Sequence, residues 1–495
     1  MLHIPFNNRY VDLGDTFYVK TQPTPVAGPT LIKFNDALAH DMGLSADGID
    51  VGDVAAVFSG NAIPAGAEPL AMAYAGHQFG HFVPQLGDGR AILLGEINGA
   101  NGANFDVQLK GSGPTFYSRN GDGRAALGPV LREYLVSEAM AKLNVPTTRA
   151  LAAVATGEPV ARERLLPGGV ITRVAASFVR VGTFQFFAAQ GDAESVRKLA
   201  DYVIARNYPE VASAENPYVD FLSAVIERQA RLIAQWMQLG FIHGVMNTDN
   251  MSIAGETIDY GPCAFMDAYA HNRVFSSIDR DGRYAYHNQP GIGLWNLTRL
   301  AECLLPMLDD NTEAAVAVAQ TRLENYKDHY QQAWLAGMRA KCGLTAQEDS
   351  DQEDASLIQA LLDVMARNNA DFTLTFSCLS QLSGQSSEHD GDCRRLFDQP
   401  TEFDDWAVTW RQRLSREMRG EEERRQNMRA VNPVYIPRNH QIEAAIRAAE
   451  DEGDFSVFHE LHEVLQQPFT EQPGKARYQL PPEPEEEVKQ TFCGT

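Results

Sequence analysis

Long apolar runs and closely spaced cysteines are both missing from this 495-residue chain. No stretch of about 18 apolar residues occurs, and the start, MLHIPFNNRY, has neither a basic cluster nor an apolar core, so we expect a cytoplasmic protein with no membrane partner. The cysteines show no CxxC spacing, which argues against a zinc knuckle or a disulfide framework and indicates a reducing compartment. They are Cys263, Cys303, Cys342, Cys378, Cys393 and Cys493.

Basic residues are also few relative to acidic residues. The chain has 42 Lys and Arg against 65 Asp and Glu, a formal net charge of −23. Such a chain repels phosphate backbones unless its cations are focused in one place, so we expect no nucleic-acid partner. The 44% hydrophobic content provides enough apolar side chains for two or three packed units.

Apolar periodicity divides the chain into two parts. Between about residues 80 and 187 it predicts strands at 91–97, 105–111, 150–158 and 170–187, with one helix at 129–143. From about residue 190 it predicts helices at 193–207, 216–239, 293–307, 311–342, 354–368 and 403–426, broken once between residues 240 and 291. This order predicts an α+β fold with a ligand between a β-rich small lobe and a mainly helical large lobe.

The expected domains follow these changes in pattern. Residues 1–60 form an N-terminal extension, 61–190 the small lobe with phosphate-binding loops, and 191–465 the helical large lobe. Residues 466–495 are rich in Pro and Glu and are expected to form a mobile tail with a terminal cysteine.

Lys110 is the first candidate for chemistry. It ends a predicted strand and precedes GSGPTFYSRNGDGRAALG, whose glycines permit close backbone approach to an anion. Glycine content alone equally fits a pair of hairpin turns. Either Glu133 or Glu138 on the next helix has the charge to pair with Lys110, and helical periodicity does not choose between them.

The segment HGVMNTDN, followed by Asp259, is the most specific local signal. Asn and Asp side chains supply the hard oxygen ligands that Mg²⁺ prefers, as in the HRDxxxxN and DFG segments of a kinase large lobe. On that pattern Asn250 and Asp259 are metal ligands, but Val245 stands where the catalytic Asp belongs. Asp249 is the nearest replacement base, with a turn-stabilising carboxylate as its alternative role.

Arginines occur where a triphosphate requires them. Arg90 closes GDGR, and Arg173 and Arg180 lie in the predicted strand at 170–187. In one flat strand Arg173 and Arg180 face opposite sides, so their convergence requires a bend near residues 175–177.

Five ordered segments together resemble the selenoprotein O family of protein adenylyltransferases over nearly the whole chain. They are YAGHQFGHFVPQLGDGRAILLGE, QLKGSGPTFYSRNGDGRAALGPVLREYLVSEAM, VITRVAASFVRVGTFQFF, HGVMNTDNMSIAGETIDYGP and the terminal cysteine segment. The resemblance implies a protein-kinase-like bilobal fold that holds ATP in the reverse sense and presents its α-phosphate to a protein Ser, Thr or Tyr. It implies transfer of AMP, or alternatively UMP, with Mg²⁺ or Mn²⁺.

Site residues follow from the resemblance position by position. It implies Asp249 as general base, Asn250 and Asp259 as metal ligands, and Glu133 rather than Glu138 as the partner of Lys110. The implied nucleotide-binding residues are Gly87, Gly89, Arg90, Lys110, Asp122, Gly123, Arg173, Arg180 and Asp259.

The tail departs from the family pattern. Family members with a regulatory disulfide pair the tail cysteine with one in the segment corresponding to residues 273–284, and that segment has no cysteine here. Cys263 is the nearest candidate partner of Cys493, so we expect no equivalent bridge.

Two rival functions remain for this sequence. A kinase that transfers the γ-phosphoryl group is disfavoured by Val245. A pseudokinase that binds nucleotide only as a scaffold is disfavoured because Lys110, Glu133, Asp249 and Asn250 are all present.

Overall fold

The computed structural model describes residues 3–44, 50–99, 102–388 and 390–492, which form a mixed α+β structure. The strands are β1 (Tyr18–Lys20), β2 (Thr30–Phe34), β3 (Leu70–Met72), β4 (Gly76–Gln78), β5 (His81–Val83), β6 (Ala91–Asn98), β7 (Asn104–Lys110), β8 (Ala125–Ala126), β9 (Arg149–Ala161), β10 (Leu165–Ala175), β11 (Phe241–Ile242) and β12 (Ala264–Phe265). 

Helices dominate the second half of the chain. They are α1 (Asp36–Asp41), α2 (Val51–Ser59), α3 (Leu127–Lys142), α4 (Val181–Ala188), α5 (Ala193–Asn207), α6 (Pro217–Leu239), α7 (Gln289–Leu308), α8 (Thr312–Cys342), α9 (Asp351–Arg367), α10 (Phe372–Leu379), α11 (Gly391–Arg394), α12 (Pro400–Leu414), α13 (Glu421–Arg429), α14 (Asn439–Arg447) and α15 (Ser456–Leu465). In the described parts of the chain, no helix combines the length and apolarity that a membrane crossing requires.

One antiparallel sheet organises the first half, in the order β1-β3-β6-β7-β10-β9-β2, with β8 added beside β10. Strand β7 is central, and its last residue, Lys110, lies opposite Ala91 of β6 and Ile171 of β10. Alternate side chains point to opposite faces of a strand. Val107 and Leu109 therefore enter an apolar core shared with α2, while Lys110 points to the face that carries α3.

Helices α6, α7 and α8 pack against one another. Helix α6 begins where the sequence predicts, because the Asn216 side chain accepts hydrogen bonds from two first-turn amides and Pro217 suits the first helical position. It ends at Gly240, whose left-handed conformation (φ 68°) closes the helix. The next residues form the β11–β12 hairpin, whose connection carries HGVMNTDN and Asp259.

Two expected elements are wrong. Residues 170–187 are not one strand, because β10 ends at Ala175 and residues 181–188 form α4. The run is mostly apolar with scattered polar residues, including Arg173 and Arg180, and their spacing gives no single period that separates strand from helix. Residues 403–426 are not one helix, because α12 ends at Leu414 and α13 begins after Gly420, a poor helix former.

Candidate active site

A buried cluster of ion pairs joins the sheet, α3 and the loop before β12. Lys110 Nζ lies 2.8 Å from Glu133 Oε2 and 3.0 Å from Asp259 Oδ1. Arg173 completes the cluster, with its Nη2 2.9 Å from Asp259 Oδ1 and its Nε bonded to Glu133. Two cations, one on β7 and one on β10, thus share two carboxylates, one on α3 and one in the loop before β12.

Glu133, and not Glu138, is the carboxylate placed against Lys110. Both lie on α3, but a step of five residues is not a whole number of helical turns. The two side chains therefore point in different directions and contact different neighbours. Glu138 binds Arg149 through two hydrogen bonds of 2.9 and 2.7 Å and accepts another from Asn35. Its contacts fasten α3 to β9 and to the segment before α1.

Both carboxylates of the cluster are anionic. Burial alone raises a carboxyl pKa, but Arg173 and Lys110 outweigh it and lower the pKa of Glu133. Burial also raises the pKa of Asp259, but nearby cations outweigh it and hold that pKa well below its usual range. These cations are Lys110, Arg173, Arg180 and Arg90. Asp259 adopts a left-handed backbone conformation (φ 71°), which Asp tolerates better than most residues.

Arg180 reaches the same region because the chain bends after β10. Strand pairing ends at Ala175, and five residues later Arg180 caps the start of α4 with its guanidinium directed at Asp88 (Nη1 to Oδ1, 3.3 Å). That guanidinium also lies 4.3 Å from the centre of the Tyr74 ring. The bend predicted between Arg173 and Arg180 is therefore present.

A cavity of about 440 Å³ opens in front of this cluster. Eight of the expected site residues line it: Gly87, Gly89, Arg90, Asp122, Gly123, Asp249, Asn250 and Asp259. Lys110, Glu133, Arg173 and Arg180 do not line it and lie behind Asp259 and Asp88. A larger cavity, about 590 Å³, lies between α9 and α12 and is lined by none of the expected residues.

Two of the lining glycines are required by geometry. Gly87 has φ 67°, and a Cβ there would lie 2.2 Å from the Tyr117 ring. Gly123 has φ 62°, and its Cβ would lie 2.1 Å from the Gly113 carbonyl oxygen. Side chains at these positions are excluded by both backbone conformation and space.

Several lining residues were not expected from the sequence: Tyr74, Gln78, Phe79, Tyr117, Ser118, Arg119, Arg162 and Ile278. Arg162 lies at the outer rim, where its guanidinium forms two hydrogen bonds with Asp122 and lowers the pKa of that carboxyl. Aromatic and basic residues of this kind carry no short sequence signature, so only the folded chain reveals them.

The β4–β5 hairpin holds the segment Asn247–Asp249 by its backbone. The His77 amide donates to Thr248 Oγ1 at 2.7 Å, and the Phe79 amide donates to Asn247 Oδ1 at 3.1 Å. The GHQFGH segment gave no prediction of this pairing, which joins residues 168 to 171 positions apart. The glycines of that segment do disfavour a helix, which is consistent with the hairpin that forms there.

Asp249 is hydrogen-bonded through one of its carboxylate oxygens and not through the other. Gln78 Nε2 donates to Asp249 Oδ2 at 3.1 Å. Asp249 Oδ1 is buried and forms no hydrogen bond with the described chain. A Cβ at Gly76 would lie 2.5 Å from that oxygen, so glycine is needed to leave it room. Burial raises the pKa of Asp249 to about 6, although the Gln78 hydrogen bond opposes the shift.

Asn250 presents an oxygen toward the same cavity. Its Nδ2 donates to the Val245 carbonyl at 3.0 Å, which leaves Oδ1 as an acceptor. Together with the Asp259 carboxylate this is a hard oxygen donor set suited to Mg²⁺ or Mn²⁺. Within the described ranges, no group of three His, Cys, Asp or Glu side chains forms a metal site.

His243 connects the loop to Asp259. Its Nε2 lies 2.8 Å from the Ile258 carbonyl, and the Val245 amide donates to its Nδ1. Burial lowers the pKa of His243, so the ring is neutral and donates from Nε2. This bond places the residue before Asp259 against the loop that carries Asn250.

The C-terminal tail reaches the edge of the site. Thr491 exchanges backbone hydrogen bonds with Phe275 and Ser277, and its hydroxyl donates to the Pro262 carbonyl at 2.5 Å. Pro262 lines the cavity. Cys493, expected to be a mobile thiol, lies outside the described residues.

Comparison with known proteins gives consistent matches along the chain. The family described as "Protein adenylyltransferase SelO" matches residues 1–466. Proteins named "Protein nucleotidyltransferase YdiU" match from Bradyrhizobium sp. (strain ORS 278), at 59% identity over 497 residues and 100% of both chains, and from Rhodopseudomonas palustris (strain BisB5), at 60% over 495 residues and 100% of both chains. The protein of that name from Rhizobium meliloti (strain 1021) is 60% identical over 490 residues, covering 99% of both chains.

Proposed function

Because the chain belongs to the SelO family of protein adenylyltransferases and is a protein nucleotidyltransferase, we propose that it transfers AMP from ATP to Ser, Thr or Tyr hydroxyls of other proteins. The observation that carries the proposal is Asp249, a buried carboxylate with one bonded and one unbonded oxygen, placed in a cavity beside a cation cluster. UMP transfer from UTP is the alternative chemistry of the same site.

We propose a kinase-like bilobal arrangement for this activity. The small lobe takes residues 61–190 and the large lobe residues 191–465, with the extension 1–60 and the tail 466–495 outside them. Support comes from the cavity, since one part of its wall comes from the segments 74–90 and 117–124 of the sheet half and another from 245–262 of the helical half. Ligands bind preferentially between such units.

Asp249 is proposed as the general base. The acceptor hydroxyl oxygen attacks the α-phosphorus of ATP while its proton passes to the Asp249 carboxylate. The bond from the α-phosphorus to the bridging oxygen breaks, and pyrophosphate leaves with the electron pair. A pKa of about 6 suits this task, because the carboxylate is ionised at neutral pH and is still basic enough to accept a proton.

We propose that cations stabilise the departing pyrophosphate, Arg90 from the cavity wall and the other three from behind it. Arg173 and Arg180 are almost wholly buried (3% and 2% exposed), and Lys110 and Arg90 lie in the same region. Buried guanidinium groups act in a low dielectric environment, where each charge interacts more strongly with a phosphate than it does in water. Arg173 and Lys110 already share Asp259 and Glu133, which fixes their orientation before ATP binds.

Asn250 and Asp259 are proposed to hold Mg²⁺ or Mn²⁺, whose bound form would neutralise phosphate charge. The oxygen donors of Asn250 Oδ1 and Asp259 fit such an ion. Asp259 Oδ1 already accepts from Lys110 and Arg173, so Asp259 Oδ2 is the oxygen left for a cation. Val245 in the cavity wall cannot serve as a base, which supports Asp249 in that role.

Labelled ATP tests the proposal. The chain is incubated with candidate acceptor proteins, Mg²⁺ or Mn²⁺, and ATP labelled at either the α- or the γ-phosphate. We expect α-label in the acceptor, no γ-label, and a loss of roughly 10²–10⁴-fold in Asp249→Asn, as for removal of a general base. Asp328→Asn, at an exposed position of α8, is the matched control and is expected to keep full activity.

Each alternative has its own outcome. Entry of γ-label in place of α-label would establish a kinase. Nucleotide binding without transfer of either label would favour a scaffold. Faster transfer from α-labelled UTP than from ATP would assign UMP as the transferred group.

A further inference from the structure

A second cavity adjoins the candidate active site on the side of the general base. It has a volume of about 450 Å³ and is lined by Phe79, Asp281, Arg283, Asn288, Gly291 and Ile292. Phe79 lines both cavities, and Gln78, the residue before it, binds Asp249. The second cavity is therefore lined by the residue that follows Gln78 in the chain, and Gln78 is the residue that binds the proposed base, Asp249.

Arg283 is the cation among the residues that line this second cavity, and Asp281 is the anion. Its guanidinium carbon lies 4.8 Å from the centre of the Trp295 ring, and its Nε is buried without a hydrogen bond. Among the described residues, no carboxylate forms a salt bridge with Arg283. A guanidinium stacked on an aromatic ring keeps its outer N–H groups available for a carboxylate.

The loop that carries Arg283 is firmly held. Asp279 accepts hydrogen bonds from the amides of Arg283 (2.9 Å) and Tyr284 (2.8 Å). The Tyr284 hydroxyl donates to Asn247 Oδ1 at 2.5 Å, and the Tyr284 ring lies 5.1 Å from that of Phe79. Arg283 thus occupies a fixed position relative to the loop that ends in Asp249.

We propose that this second cavity is the acceptor groove, in which the hydroxyl-bearing segment of the protein substrate lies with an acidic residue beside Arg283. The groove rests on the transferase activity proposed above. With ATP in the first cavity, an acceptor hydroxyl needs a separate path to Asp249, and the space beyond Phe79 supplies one. Aromatic and arginine side chains together are the residues that dominate recognition at protein interfaces.

Gly291 allows the groove to be filled without disturbing the fold. It is exposed near the start of α7, and a Cβ there meets no atom within 4 Å. Gly291→Trp therefore places a large ring in the groove. Gly391, exposed at the start of α11, has the same open surroundings and lines neither cavity, so Gly391→Trp is the matched control.

The test uses fluorescent synthetic peptides, each with one Ser, Thr or Tyr flanked by acidic, neutral or basic residues. Peptide Kd is measured by anisotropy in the presence of α,β-methylene-ATP, and transfer is measured with α-labelled ATP. We expect the wild-type chain to prefer acidic flanks, Gly291→Trp to lose about tenfold or more in peptide affinity, and Arg283→Glu to reverse the flank preference. Nucleotide affinity should stay within about twofold in Gly291→Trp, and Gly391→Trp should match the wild type in every assay.

The two proposals fail separately. Suppose that peptides bind, that Gly291→Trp blocks their binding, and that only γ-label is transferred. The acceptor groove is then confirmed and the proposed AMP transfer is refuted. If α-label transfer and peptide Kd are the same in Gly291→Trp, Arg283→Glu and the wild type, the groove is elsewhere. A wild-type chain that binds no peptide of the set also overturns the groove.

Discussion

Gln78 should set the pH at which the proposed base becomes active. Its amide donates a 3.1 Å hydrogen bond to Asp249 Oδ2, and this bond favours the charged carboxylate. A hydrogen bond to a charged group contributes about 1.5–3 kcal/mol, and 1.36 kcal/mol corresponds to one pKa unit. Because Gln78 is only half-buried, water can replace part of the bond, so Gln78→Met should raise the pKa of Asp249 from about 6 by about one unit.

The assay is kcat/KM for α-label transfer between pH 5 and pH 9. A base must be deprotonated, so the wild-type rate rises with pH through about 6 and the Gln78→Met rate rises through about 7. At pH 7 the variant should have about half of its own plateau activity, and at pH 9 it should recover most of the loss. Gln190→Met, at an exposed position just after α4 where the side chain binds only the Phe186 carbonyl, is the control. An unchanged acidic limb in Gln78→Met would refute the assignment of Asp249 as the base.

Glu133→Gln and Glu138→Gln should each lower the free energy of unfolding by on the order of 3 kcal/mol, because both break buried ion pairs, but only Glu133→Gln should lower kcat/KM for ATP. Urea unfolding and steady-state kinetics on both variants separate these effects, and equal loss of activity would contradict the cluster's role. Asp249→Asn should stabilise the chain by on the order of 2–3 kcal/mol at pH 8, since a raised carboxyl pKa means that stability is lost as pH rises from about 4 to 6. The gain should vanish near pH 4 in thermal melts, and a pH-independent gain would indicate a packing effect instead. Asn250→Ala should raise the Mg²⁺ or Mn²⁺ concentration for half-maximal transfer about tenfold, with partial rescue by excess metal. An unchanged metal titration would remove Asn250 from the site.

The elements that the sequence predicts well are those whose signals are local. Helix α6 has a capping Asn216, Pro217 at its first position and Gly240 at its end, and its bounds agree with the prediction to one residue. Strand β7 was expected at 105–111 and spans Asn104–Lys110. Where local signals are absent, as in the mostly apolar run 170–187, tertiary packing decides between strand and helix, and the sequence prediction failed.

The candidate site divides in the same way. Residue type identified Lys110, Asp249 and Asp259, because few side chains carry out phosphate, proton and metal chemistry. Periodicity left Glu133 and Glu138 open, and the choice depends on how α3 lies against β7 and β9. The hold of the β4–β5 hairpin on Asp249 and the second cavity beyond Phe79 depend on contacts between residues far apart in sequence, which one sequence does not reveal.

The tail shows how a contact can persist without the cysteine that family resemblance leads one to expect. Residues 273–284 lack a thiol, yet Thr491 forms backbone hydrogen bonds with that segment at Phe275 and Ser277. The nearest thiol along the chain, Cys263, is buried, and burial raises its pKa to about 11, so at neutral pH it is protonated and a poor nucleophile for disulfide exchange. Thr491 holds the tail beside Pro262 through hydrogen bonds. The absence of an equivalent bridge from Cys493 stays a prediction, which peptide mapping of the oxidised chain tests.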